Sequence, residues 1–129
     1  MKKLIPILLS ALIFTGCAGT NNNQPNTYRQ ISVDEAVAMM AEETGYIILD
    51  VRRADEFAAG HIPGAINVAN ESIGTDEIPE LPDKNQLIMV YCRSGRRSKE
   101  AAEKLVKLGY TNIVEFGGIL DWKGEITTD

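Results

Sequence analysis

The residue that most clearly points to chemistry is a cysteine at the end of an apolar run. Residues 87–91 are Leu-Ile-Met-Val-Tyr, and Cys92 follows them directly. The polar residues 93–98 come next and include Gly95, which can adopt a positive φ where a helix begins. Unpaired N–H groups at a helix N-terminus attract anions and lower the pKa of a cysteine thiol. The pattern therefore predicts that Cys92 is a thiolate nucleophile held by backbone N–H groups.

Basic residues concentrate positive charge around this cysteine. Arg93, Arg96, Arg97 and Lys99 bring four cations into seven residues of a chain whose formal net charge is −5. Because the chain as a whole is acidic, no nucleic-acid partner is expected. The local positive charge is instead expected to attract small anions and to stabilise the thiolate. The predicted catalytic residue is Cys92, and the predicted anion-binding loop consists of Arg93, Ser94, Gly95, Arg96, Arg97 and Ser98.

The small numbers of cysteine and histidine residues exclude several other kinds of site. Two cysteines cannot form a disulfide scaffold, and the single histidine, His61, cannot supply a His-rich zinc site or a histidine relay. We therefore predict no metal and no bound cofactor. Asp50, Arg52 and Glu56 are interpreted, together with His61, as a structural polar network near the site rather than as catalytic acids or bases.

The elements that position Cys92 follow from the hydrophobic pattern. Ser32 begins a capping box for a helix that Gly45 stops, and residues 98–108 carry the apolar stripe of a second helix. Short apolar runs without alternation are typical of parallel strands that are covered on both faces. Ligands of such sheets bind beyond the carboxyl ends of the strands, where Cys92 lies. The predicted strands are residues 28–31, 46–50, 65–68, 87–91 and 112–116.

The first residues have the three zones of a secretory signal peptide. Two lysines precede an apolar stretch at residues 4–14, which is too short to span a bilayer, and small residues follow. Residues 14–17 resemble a bacterial lipobox, with phenylalanine where leucine is usual, which implies removal of residues 1–16 and lipidation of Cys17. The polar residues 17–27 are then expected to form a lipidated N-terminus and a flexible tether.

The lipobox resemblance also implies a location. Lipid on Cys17 would make a bacterial membrane a partner of an exported protein. Ala18 differs from the aspartate that retains lipoproteins at the inner membrane, so in a diderm bacterium the periplasmic face of the outer membrane is expected. The alternative is an ordinary secreted protein in which Cys17 is a spare thiol.

Three motifs follow one another along the chain, the first at residues 50–52, 56–57 and 60–67, the second at residues 90–98, and the third at residues 117–118 and Trp122. Together they make nearly all of residues 28–124 resemble a rhodanese-like domain, and residues 28–129 are predicted to form that single domain. The resemblance implies an α/β fold with about five mainly parallel strands and helices on both faces of the sheet. It also implies that Cys92 carries sulfur as a persulfide, taken from an anionic donor such as thiosulfate and passed to cyanide or a thiol. No cofactor beyond that covalent intermediate is implied.

Two other functions remain open at this stage. A cysteine phosphatase or arsenate reductase uses a similar thiolate loop, but phosphatases place their anion-clamping arginine six residues after the cysteine. That position is Ser98 here, while Arg97 lies five residues after Cys92. A non-catalytic rhodanese-like binding module of the cell envelope is the second alternative.

Overall fold

The computed structural model describes residues 27–129. The predicted signal peptide, the lipidation site Cys17 and nearly all of the predicted tether lie outside these residues. Within the described part of the chain, no helix combines the length and the apolar content needed to cross a membrane.

Residues 27–129 form five strands and three α-helices. The strands form one parallel sheet in the order β1-β5-β4-β2-β3, so β4, which ends in Cys92, is the central strand. The predicted α/β fold with a parallel sheet is confirmed. The elements are β1 (Arg29–Gln30), α1 (Val33–Glu42), β2 (Ile47–Asp50), α2 (Ala54–Ala59), β3 (Ile66–Asn67), β4 (Ile88–Cys92), α3 (Arg96–Lys107) and β5 (Ile113–Gly118), with short 3-10 turns at Asn70–Ser72 and Ile119–Asp121.

Apolar side chains cover both faces of the sheet, as the unbroken apolar runs predicted. On one face α3 packs Ala101, Ala102 and Leu105 against residues of β2, β4 and β5. On the other face α1 and α2 pack against the alternate residues of the same strands, including Met89 and Tyr91. Helices on both faces are therefore confirmed, and every residue of the central strand is buried between them.

The observed helix boundaries can be compared with the local sequence signals that predicted them. The capping box of α1 is present, because Ser32 Oγ accepts from Glu35 N–H while the Glu35 carboxylate accepts from Ser32 N–H. That helix ends at Glu42, before Gly45, and its Val37 side chain is 47% exposed. The helix that carries the second apolar stripe begins at Arg96, within the polar segment that follows Cys92. The N-terminus of α3 therefore lies only a few residues from Cys92.

An irregularity in β5 shapes the end of the sheet next to Cys92. Val90 pairs with Glu115 and Cys92 pairs with Gly118, so β5 contains one more residue than β4 between these two pairs. Gly117 lies in this bulge with a φ of 94°, a conformation that favours glycine. The bulge lets β5 turn beneath the loop that links β4 to α3.

Candidate active site

Cys92 lies at the junction of β4, the following loop and the start of α3. Its side chain is buried, with the residue 1% exposed, yet it lines a surface pocket of about 410 Å3. A sulfur in this position is shielded from bulk solvent and reachable from one side. The other lining residues are four arginines, two glutamates and a serine: Arg53, Glu56, Glu71, Arg93, Ser94, Arg96 and Arg97.

Backbone N–H groups surround the sulfur, as the sequence predicted for this loop. Gly95 N–H donates to Cys92 Sγ with an N···S distance of 3.0 Å. Gly95 is the N-cap of α3 and has a φ of 117°, which a residue with a Cβ rarely adopts. The same conformation turns its N–H inward toward the sulfur.

The pKa of Cys92 is lowered from its usual value near 9. Burial has the largest single effect and raises the pKa, because it disfavours the charged thiolate. Hydrogen bonds from the Ser98 hydroxyl and from the backbone N–H groups of Ser98, Gly95 and Ser94 act in the opposite direction and together outweigh it. The loop geometry therefore favours the thiolate.

A close approach between the loop and β5 fixes the loop's position. The Arg93 carbonyl oxygen accepts from Leu120 N–H at 3.2 Å. A Cβ on Gly118 would overlap the carbonyl group of Arg93 and the nitrogen of Ser94. Only glycine leaves room for the backbone of residues 93–94 at this point.

The basic side chains of the predicted anion-binding region differ in whether they form ion pairs with carboxylates. The Arg97 guanidinium forms two hydrogen bonds with Glu56, from Nη1 to Oε1 at 2.8 Å and from Nη2 to Oε2 at 3.2 Å. Arg96 pairs with Glu100 at 3.1 Å. Arg93 and Lys99 form no ion pair within residues 27–129. Two of the four cations expected to attract anions are thus already paired with carboxylates.

Glu56 is held strongly in its ionised form. Its pKa falls from 4.5 to about 2, chiefly through the hydrogen bonds from Arg97, although burial acts against them. The Glu56 carboxylate also accepts from the Arg53 backbone N–H at 3.0 Å, at the start of α2. Of the four residues assigned to a supporting network, Glu56 is the one that the structure brings into the pocket.

The other three lie nearby but do not line the pocket. Arg52 Nη2 donates to Asp50 Oδ2 at 2.7 Å and to the Gly60 carbonyl at 2.7 Å, and both side chains of the ion pair are buried. The His61 ring stacks on Phe57 with 3.7 Å between centroids, and its Nδ1 lies 2.8 Å from the Phe57 carbonyl oxygen. These contacts tie β2 to the segment after α2.

Ser98 is buried inside the loop rather than lining the pocket. Its Oγ lies 3.5 Å from Cys92 Sγ and donates to Glu115 Oε2 at 2.5 Å. The position of the clamping arginine in cysteine phosphatases is thus occupied here by a serine, and its hydroxyl is hydrogen-bonded to a buried carboxylate. Across residues 27–129, no three His, Cys, Asp or Glu side chains are grouped closely enough to hold a metal ion.

Sequence reasoning missed three charged residues of this region. Arg53 and Glu71 line the pocket, and Glu115 lies beneath the loop. Glu115 did carry a signal, because it is the one charged residue in the otherwise apolar run of β5. Arg53 and Glu71 lie in polar segments where nothing in the pattern distinguishes them.

Comparison with known proteins agrees with this architecture. The family model described as a rhodanese-like domain matches residues 32–125. The thiosulfate sulfurtransferase PspE of Escherichia coli (strain K12) is 37% identical over 73 residues, which cover 57% of this chain and 70% of that protein. The thiosulfate sulfurtransferase GlpE of Pseudomonas entomophila is 33% identical over 97 residues, which cover 74% of this chain and 85% of that protein.

Solved structures give the same result for the fold. A structure described as rhodanese with anions from E. coli superposes with a TM-score of 0.59 at 32% identity and covers 65% of this chain and 99% of its own. A rhodanese-related protein from Thermoplasma volcanium gives a TM-score of 0.65 at 27% identity and covers 79% of this chain and 100% of its own. Sequence motifs, sheet topology and these relatives all agree, and the chain belongs to the rhodanese-like domain family.

Proposed function

We propose that this protein is a sulfurtransferase that moves a sulfane sulfur from an anionic donor such as thiosulfate to cyanide or a thiol. The observation that carries the proposal is the 3.0 Å hydrogen bond from Gly95 N–H to Cys92 Sγ beside a pocket lined by four arginines. It pairs a nucleophile favoured as thiolate with a space that attracts small anions. The thiosulfate sulfurtransferases among its relatives support the same reaction class.

The first step loads sulfur onto the cysteine. The Cys92 thiolate attacks the outer sulfur of thiosulfate, a new S–S bond forms, and the S–S bond of thiosulfate breaks with its electron pair leaving on sulfite. The charges balance, because a thiolate and a dianion give a persulfide anion and a dianion. Arg93, which has no ion pair within the described residues, is the side chain best suited to attract the donor.

The second step transfers the sulfur from Cys92 to the acceptor. In the persulfide the negative charge lies on the terminal sulfur, and the N–H groups of the 93–98 loop are available to stabilise it, as an oxyanion hole stabilises oxygen. A thiolate or cyanide attacks that sulfur, the S–S bond breaks, and Cys92 returns as the thiolate. Covalent catalysis of this kind needs no bound cofactor or metal.

Phosphate ester chemistry fits the loop less well. A clamping arginine is replaced by Ser98, and the Arg97 guanidinium is held by Glu56. The loop closes tightly around one atom, with Gly95 N–H bonded directly to the sulfur. These features favour a cradle for a single sulfur over one for a tetrahedral oxyanion.

The proposal is tested with the wild-type protein and Cys92→Ser. Thiosulfate treatment of the wild-type protein is expected to add about 32 Da at Cys92, seen by mass spectrometry, and thiocyanate is expected to form when cyanide is added. Neither should occur with Cys92→Ser. A folded wild-type protein that gains no adduct would indicate a binding module instead, and hydrolysis of a chromogenic phosphate ester without sulfur transfer would indicate a phosphatase.

We further propose that lipidated Cys17 anchors the domain to a bacterial membrane, on the periplasmic face of the outer membrane in a diderm. Support comes from the sequence of residues 14–18. Stable anchoring needs more than one acyl chain, which lipidation of both the thiol and the amine would supply. Cys17→Ser is expected to move the protein from the membrane fraction to the soluble fraction after cell lysis, and an unchanged distribution would contradict the anchor.

A further inference from the structure

Glu115 is a buried carboxylate that the sulfur transfer described above does not use. It lies in β5, and the residue is 2% exposed. Strand alternation places it on the α3 side of the sheet, together with Ile113 of its own strand. It forms no ion pair with any Lys or Arg of residues 27–129. Because burial of an uncompensated carboxylate is costly, its charge requires an explanation.

A chain of contacts links this carboxylate to the nucleophile. Glu115 Oε2 accepts from Ser98 Oγ at 2.5 Å and from Gly117 N–H at 2.9 Å, while Oε1 lies 3.4 Å from Gln30 Nε2. Ser98 Oγ in turn lies 3.5 Å from Cys92 Sγ. The carboxylate oxygen is thus within about 6 Å of the sulfur, with one hydroxyl between them.

The single proton of Ser98 cannot serve both neighbours. When Glu115 is ionised, the short contact to its charged oxygen takes that proton, and Ser98 offers Cys92 only a lone pair, which suits a neutral thiol. When Glu115 is protonated, its O–H can donate to Ser98. The Ser98 proton can then be donated to a thiolate, in competition with the carbonyl oxygens of Gly95 at 3.0 Å and Gly117 at 3.3 Å. This is the arrangement in which the Ser98 hydroxyl lowers the pKa of Cys92. In each arrangement the three side chains form hydrogen bonds with one another and carry one negative charge, which lies either on Glu115 or on Cys92.

We propose that Glu115 is a positioning residue for the nucleophile that shares one proton with Cys92 through Ser98. When the thiolate forms, the S–H bond of Cys92 breaks and its proton goes to Ser98 Oγ. The original Ser98 proton moves to Glu115 Oε2. The negative charge moves from the carboxylate to the sulfur, and the net charge of the three side chains stays the same. Return of the proton reverses both transfers.

The surrounding charges favour the arrangement with the charge on sulfur. Near Glu115 the titratable neighbours are Tyr28, whose pKa is raised by burial, by Glu103 and by Glu115, and Cys92, which Ser98 links to Glu115. Cations are found on the sulfur side instead. The charged side chains around the sulfur are Arg53, Glu56, Glu71, Arg93, Arg96 and Arg97.

The test is the pH titration of the thiolate absorbance, measured as the difference from Cys92→Ala. Two groups that share a proton titrate as a pair, so the wild-type signal is expected to rise in two steps. Glu115→Gln keeps the shape and removes the charge. The signal of Glu115→Gln is expected to rise in one step. The midpoint of that step should lie about 1 to 2 pH units below the upper midpoint of the wild type, as expected for charges about 6 Å apart. Identical one-step titrations of both proteins would overturn the proposal.

Matched variants separate this role from a purely structural one. Glu103→Gln removes the same charge from the exposed side of α3 and should keep the two steps. Ser98→Ala removes the connecting hydroxyl and should raise the midpoint of the thiolate, whereas Ser98→Thr, which keeps the hydroxyl, should restore it. Failure of Ser98→Thr to restore the midpoint while the protein remains folded would count against the shared proton.

A measurement on the Glu115 carboxyl itself keeps the test decisive should Glu115→Gln not fold. Carbon NMR of labelled glutamate follows its ionisation in the wild-type protein and in Cys92→Ala. The carboxyl is expected to titrate in two steps in the first and in one step in the second, and equal curves would refute the coupling. The inference rests on the proposed function only in taking the thiolate as the working form. A protein that shows the coupled titration but transfers no sulfur would therefore contradict the proposed function alone.

Discussion

The bidentate contact between Arg97 and Glu56 predicts a specific loss of stability in Glu56→Gln. The two side chains are 15% and 17% exposed, so water screens their interaction only in part. The pKa of Glu56 is about 2 in the folded protein against an ordinary value of 4.5, chiefly because of the Arg97 hydrogen bonds. By linkage the full difference corresponds to about 3 to 4 kcal/mol of folding stability at neutral pH, and partial screening by water reduces the expected contribution to about 2 to 3 kcal/mol.

The sign of the pH dependence follows from the lowered pKa. The stabilising contribution of Glu56 is complete above its unfolded value of 4.5 and is lost as the pH falls toward about 2, where the folded protein takes up the proton. Urea unfolding of the wild type and of Glu56→Gln should therefore differ by about 2 to 3 kcal/mol at pH 7. The difference should shrink steadily below pH 4.5.

A neighbouring carboxylate supplies the matched control. Asp55 lies in the same turn of α2 and pairs with Arg53, but both side chains of this pair are largely exposed. Asp55→Asn removes the same charge and should leave the free energy of unfolding nearly unchanged. The reasoning would be refuted if both variants lost the same free energy of unfolding. It would also be refuted if the difference in this free energy between wild type and Glu56→Gln did not decrease at low pH.

Three further outcomes are expected from the site. Gly118→Ala should reduce thiosulfate sulfurtransferase activity at least about tenfold with the fold retained by circular dichroism, because its Cβ overlaps the Arg93 carbonyl and displaces the loop. Alkylation of Cys92 by iodoacetamide should reach half its maximal rate below pH 9, since hydrogen bonds lower the pKa of this thiol, and a midpoint at or above 9 would contradict that. The KM for thiosulfate should rise with added salt and should fall in Glu56→Gln, where Arg97 loses its carboxylate partner; a KM that does not respond to salt would exclude steering by the arginines.

The features that could be predicted from sequence are those encoded within a few residues. The apolar run of β4 and the glycine-containing loop after it were sufficient to place Cys92 at the end of a buried parallel strand. The capping box at Ser32 fixed the start of α1 in the same way. Each of these depends on contacts between residues no more than four positions apart, which a local pattern records.

The features that could not be predicted depend on contacts made across the fold. Glu56 and Arg97 are 41 positions apart, and only the parallel arrangement of β2 and β4 brings α2 next to the start of α3. The six residues of α2 are too few to carry a helical stripe. Glu115 and Ser98 are 17 positions apart, and they meet where β5 pairs with β4 beside a bulge, which leaves no reliable pattern in a single sequence.

These long-range contacts change how the charge of the loop should be understood. From sequence, Arg93, Arg96 and Arg97 looked equivalent, but carboxylates partner two of them. A pocket with every arginine unpaired would bind both dianions strongly, the donor thiosulfate and the product sulfite. Strong binding of sulfite would slow turnover. Paired arginines weaken the attraction to both dianions, whereas the backbone N–H groups contact only the sulfur on Cys92. On the proposed mechanism, the side-chain charges therefore set how readily anions enter and leave, and the loop backbone stabilises the sulfur that stays.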